Sequence, residues 1–89
     1  MRYTKEFLRR QLLLTLRPTG RGGMRPKNLA VLVGSEFPGA TREALLEDTD
    51  YLAGKGLVEF FSSPISAGDR FARITSAGID FLEAEAAND

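Results

Sequence analysis

Apolar residues return along this chain at helical spacing in four stretches and at alternating spacing in two. The first stretch predicts a helix over 4–17. Thr4 can cap it and Glu6 sits in the first turn, while Leu8, Leu12 and Leu16 recur every fourth residue, with Phe7 and Leu13 widening the stripe. Leu14 makes the apolar surface broader than one core face needs, and Arg9, Arg10 and Arg17 are expected outside it. Pro18 ends the helix at the residue before it. A second helix starts at Pro26, whose missing N–H would be unpaired in a first turn anyway. Leu29, Leu32 and Val33 form its expected buried side, and Gly34 terminates or loosens its last turn. Phe37-Pro38-Gly39-Ala40 then makes a turn, with Phe37 expected beneath the two helices. The third helix runs over 41–54, with Thr41 as cap, Glu43 in the first turn, and Leu45, Tyr51 and Leu52 on its apolar face. Gly54 and Gly56 bracket Lys55, a cation at the helix end beside residues that can take positive φ.

Alternation begins at Leu57. Val58 and Phe60 share one face of a strand over 57–62, and Leu57 and Phe61 share the other. Adjacent Phe60 and Phe61 cannot enter the same core, so one of them needs cover from another element or a partner chain. Residues 62–68 read as a loop in which Pro64 disfavours further pairing. The chain returns over 71–75, with Ala72 and Ile74 inward and Phe71 and Arg73 outward. Thr75 or Ser76 caps a last helix, whose stripe is Ile79, Leu82 and Ala86 with Phe81 beside it.

The phrase YLAGKGLV (51–58) resembles the end of the recognition helix and the first wing strand of winged helix-turn-helix DNA-binding domains. ARITSAGIDFLEAE (72–85) resembles the close of such domains, where a wing strand, a Thr and a Gly lead into a terminal helix. The arrangement is also similar to small winged-helix proteins encoded in Mu-like prophages. The resemblance implies an α+β fold: a three-helix core, an antiparallel β-hairpin wing and a C-terminal helix, all in a single domain over 1–89. It places the helix-turn-helix at about 26–54, the wing at about 57–75 and the last helix at about 76–87, with a very short strand at Met24-Arg25. It implies further that helix 41–54 enters a major groove of double-stranded DNA, where base edges are distinguishable. By position, Thr41, Arg42 and Glu43 meet the DNA first, with Leu46, Glu47 and Asp50 further along. Arg42 is the best base reader, through two hydrogen bonds to guanine. Arg25, Lys27, Arg70 and Arg73 are candidates for phosphates, and Ile65 at the wing tip either presses into a minor groove or covers the sheet edge.

Size and composition narrow the classes. Eighty-nine residues with 43% apolar and 27% charged side chains are those of one ordinary globular domain. No apolar run approaches membrane-spanning length, so no membrane association is expected. There is no cysteine, hence no disulfide, and a cytoplasmic location is the default. There is no histidine either, so the common zinc sites and the Ser-His and Cys-His nucleophile pairs cannot be built. Neither enzymatic activity nor a cofactor is expected. The loop PTGRGGMR (18–25) lacks the GK[ST] of a phosphate-cradling loop, and no strand precedes it. It reads either as a mobile basic connection in which Arg21, with Arg17 just before it, can reach a DNA backbone, or as a disordered solvated loop.

Charge adds a complication. Residues 1–27 carry eight basic side chains against Glu6 alone, net +7, and residues 28–89 carry four against eleven acids, net −7. Helix 41–54 itself holds Glu43, Glu47, Asp48 and Asp50 against Arg42, with Lys55 just beyond its end. Acids near a phosphate backbone erode the counterion release that dominates DNA affinity. A second reading therefore stands beside DNA binding: a protein-interaction module, or a homodimer oriented by the +7/−7 split, with Leu14, Phe61 and Phe81 at the contact. A small-molecule effector is not legible.

Overall fold

The structure is a computed structural model that describes residues 3–65 and 68–87. Four helices, α1 (Lys5–Leu16), α2 (Pro26–Glu36), α3 (Arg42–Gly54) and α4 (Ser76–Ala87), pack with one face of a hairpin of β1 (Val58–Ser62) and β2 (Arg70–Ile74). The strands pair antiparallel in the register Val58↔Ile74, Phe60↔Ala72 and Ser62↔Arg70. Met24 forms an isolated bridge to Ala72, with N–H to carbonyl bonds of 2.8 Å in both directions, and so adds a one-residue third strand. This is the α+β winged helix-turn-helix architecture, with short elements at the expected places.

Local chemistry accounts for most of the boundaries. The Thr4 hydroxyl accepts from the Phe7 N–H, and that of Thr41 from the Ala44 N–H, each at 3.1 Å, satisfying donors that the first helical turn leaves unpaired. α3 ends in a Schellman motif: the Leu57 N–H donates to the Leu52 carbonyl at 3.0 Å and the Gly56 N–H to that of Ala53 at 3.1 Å. Gly56 holds φ 76°, which only glycine adopts cheaply, whereas Gly54 is still helical. Thr75 then ties the turn to the last helix. Its hydroxyl donates to the Gly56 carbonyl at 2.6 Å and accepts from the Gly78 N–H at 3.1 Å.

The core is built from Leu8, Leu12, Leu13 and Leu16 of α1, Leu29, Ala30 and Val33 of α2, Leu45 and Leu52 of α3, the inner wing residues Val58, Ala72 and Ile74, and Leu82 of α4. Phe37 packs against this cluster, edge-on to Tyr3 and Phe7 at ring-centroid distances of 5.4 and 5.1 Å. Gly78 is the contact that lets α4 lie on the hairpin: a Cβ there would collide with the Leu57 carbonyl and stand 2.7 Å from the Ile74 side chain.

Several expectations change. Leu29 and Val33 are buried as expected, but Leu32 is 48% exposed and Ala30, on the other flank of the stripe, is buried instead; α2 also continues past Gly34 to Glu36. Residues 17–22 are not an open loop; Arg17–Gly22 forms a 3₁₀ segment kinked at Gly20. Pro18 lacks the donor for an α-helical bond but fits the first turn of this tighter helix. Ala86 is exposed, and the inner side of α4 is Gly78 and Leu82 with Ile79 half-buried. Ser66 and Ala67 of the expected wing loop lie outside the described residues.

Candidate nucleic-acid interface

The N-terminal half of α3 presents Arg42, Glu43 and Glu47 outward, all exposed. Beside it lies an open groove of about 590 Å³, lined by Arg25, Pro26 and Lys27 at the start of α2, Leu46, Thr49 and Asp50 of α3, and Gly68, Asp69 and Arg70 of the wing. Sequence positions separated by up to 45 residues thus converge on one surface. Three of the four residues expected to hold phosphates, Arg25, Lys27 and Arg70, meet there.

Arg73, the fourth, does not. It stands on the outer face of the hairpin, pairs with Glu59 at 3.2 Å and donates to the Arg21 carbonyl at 3.4 Å. A second groove contains Arg73 with Arg17, Arg21, Gly20 and Glu59. The basic connection is therefore anchored to the back of the wing rather than free to swing. Arg17 is also engaged, 3.4 Å from Glu83 of α4.

The acids of α3 divide by face, and the spacing of Asp48, three residues after Leu45 and four before Leu52, is the sequence signal for it. Asp48 is only 3% exposed and faces inward, accepting from Arg9 Nε at 3.1 Å. The Arg9 guanidinium lies 3.5 Å from the Tyr51 ring centroid. Tyr51, expected in the core, is 43% exposed beneath that cation. Arg9 is correspondingly drawn in, to 21% side-chain exposure. Asp50 points into the groove, 4.0 Å from Arg70. Glu43 and Glu47 alone among these four acids have no ion pair within the described residues. So one of the four acids is removed from any DNA-facing surface, and a second is set against a cation.

Leu46 is a correction. It is half-buried and packs against the core while lining the groove, so it is not a freely exposed contact. Ile65 at the wing tip is 94% exposed and covers no sheet edge. Thr41 is exposed at the α3 N-terminus, but its hydroxyl serves the cap.

The doubled phenylalanines are resolved within the chain. Phe60 packs inward, with the Arg70 guanidinium 4.1 Å from its ring centroid. Phe61 stands on the outer face and stacks on its cross-strand neighbour Phe71 at 5.7 Å. Arg73 lies over Phe61 at 4.3 Å and Arg25 over Phe71 at 5.5 Å. Leu14 is 39% exposed on α1, and Phe81, also 39% exposed, borders an apolar groove with Tyr51, Leu52 and Leu57.

The charge split is likewise met inside the molecule. Arg9, Arg17 and Arg25 of the basic segment pair with Asp48, Glu83 and Asp69 of the acidic one. Among the described residues, no cluster of acidic residues is placed to hold a metal ion, and no helix is long and apolar enough to cross a membrane.

No family model matches the chain, and no curated protein does. Among solved structures, one similar chain is the crystal structure of a PadR family transcription regulator from hypervirulent Clostridium difficile R20291. The likeness covers 92% of this chain and 85% of that one, at a TM-score of 0.74 with 18% sequence identity. At that identity the comparison speaks for architecture: this chain has a winged helix-turn-helix fold, similar to that of a PadR family transcription regulator.

Proposed function

We propose that the protein binds double-stranded DNA and regulates transcription, with α3 in the major groove and the wing on the backbone or minor groove. The observation that carries this reading is the convergence of Arg25, Lys27 and Arg70 on one groove beside the exposed N-terminal half of α3. Phosphate-holding side chains that flank a base-reading helix fix its register on the duplex. The fold supports the assignment, and so does the similar Clostridium difficile protein's being a transcription regulator. Burial of Asp48 against Arg9 also lessens the electrostatic objection raised by the acidic composition of α3.

In this reading Arg42 pairs with guanine, Glu43 accepts from a cytosine amino group, and Ile65 approaches the minor groove. Arg17, Arg21 and Arg73 form a second basic surface at the back of the wing. A homodimer, with Leu14, Phe61 and Phe81 as contact candidates, and a cytoplasmic location complete the proposal.

Titration of a labelled random duplex at two salt concentrations tests it. Binding through several arginine and lysine contacts weakens steeply with salt. Absence of binding even at low salt overturns the reading and leaves the interaction module, for which the apolar groove of Tyr51, Leu52, Leu57 and Phe81 is the available surface.

A further inference from the structure

Two ion pairs cross the groove described above, and each joins different elements. Arg25 at the start of α2 reaches Asp69 of the wing loop at 2.9 Å, and Arg70 of β2 reaches Asp50 of α3 at 4.0 Å. All four side chains line the same cleft, and each is between 47% and 65% exposed. Exposed pairs of this kind contribute too little to stability to count as structural staples. Their effect must be sought in what the arginines do next.

Resting on the DNA-binding reading, we propose that Asp50 and Asp69 are built-in phosphate mimics: they occupy Arg70 and Arg25 in the free protein and give them up only to DNA phosphates. The chemistry is a simple exchange. A phosphate oxygen replaces a carboxylate oxygen on each guanidinium, and the released carboxylate gathers a solvent cation. That cation offsets the one set free from the DNA, so each exchanged pair contributes almost nothing to the salt dependence of binding. The exchange lowers affinity for every duplex by a similar factor, so it is the contacts of Arg42 and Glu43 to matching bases that lift a specific site above that penalty. The guanidinium planes meanwhile stay oriented over Phe60 and Phe71, so they are held in place for the exchange.

The test compares wild type with the variant Asp50→Asn/Asp69→Asn on a random duplex by fluorescence anisotropy. Both positions are at least partly exposed, so substitutions there leave folding nearly unchanged. Either single variant reads half the effect. With a slope of about −0.9 per phosphate contact, freeing two arginines steepens log K against log salt by about 1.8. The variant's affinity advantage should therefore shrink about 12-fold between about 50 and about 200 mM salt. A charge-matched control, Glu36→Gln/Asp80→Asn, removes two exposed acids that do not line the groove and should keep the wild-type slope. Parallel slopes for wild type and groove variant, or a control that reproduces the change, overturn the inference while leaving DNA binding intact. If neither protein binds the duplex at low salt, the DNA reading itself falls and takes the inference with it.

Discussion

Removing the Arg9–Asp48 pair from its two ends should cost two different amounts, because the two groups are buried to different depths. Arg9 is 21% exposed and borders an open groove, whereas Asp48 is 3% exposed. In Asp48→Ala the stranded guanidinium can turn toward water, so the loss is about that of one charged hydrogen bond, about 1.5–3 kcal/mol. In Arg9→Ala the carboxylate stays enclosed without its cation, a change that costs about 3–5 kcal/mol. Loss of the guanidinium from the Tyr51 ring adds about 0.5–1 kcal/mol. The gap of about 2 kcal/mol should appear as a difference of about 1 M in urea midpoint at unchanged slope, followed by circular dichroism. An apolar replacement of both partners, Arg9→Met/Asp48→Leu, should lie well above either alanine variant, since nothing charged is left buried. Equal costs for the two alanine variants, or a larger one for Asp48→Ala, would refute the assignment of unequal burial. Against a total stability of about 5–15 kcal/mol, Arg9→Ala takes a large share. Such an outcome would make Arg9 a positioning residue for α3, acting through Asp48.

Other consequences are more local. Leu45→Ala, at 0% exposure, should lose about 2–5 kcal/mol, and Leu46→Ala at the half-buried groove wall clearly less; chemical denaturation of both orders them. Gly78→Ala should destabilise by about 1–3 kcal/mol through the clash with the Leu57 carbonyl, with hydrogen exchange rising first in α4. Thr41→Ala should cost about 1 kcal/mol through the lost cap to Ala44, read from the same denaturation curves. On DNA, Arg42→Ala should change the preferred sequence, whereas Arg21→Ala should weaken all sequences alike; a selection experiment on each variant separates them.

The four helices, the hairpin and the glycine stop could be read directly from residue order, because caps, breakers and apolar periodicity are local physics. Thr4, Thr41 and Pro26 announce helix starts through backbone donors within a few residues of themselves, and Gly56 announces a stop through its own φ. Only tertiary structure decided where the charges went. Helical spacing puts Asp48 on the stripe of Leu45 and Leu52 and Asp50 on the opposite side, but it cannot name their partners: Arg9 meets one across 39 residues of sequence, and Arg70 of the wing stands beside the other in the groove. Alternation along β2 separates Arg70 from Arg73, but it does not reveal that Arg25, 45 residues earlier, lines the same groove as Arg70. Such pairings depend on the rotation of whole elements about their axes, which the packing of Leu12, Leu45 and Ala72 sets. Periodicity gives each helix a face to bury; the shape of the shared core chooses which polar residues that rotation brings together.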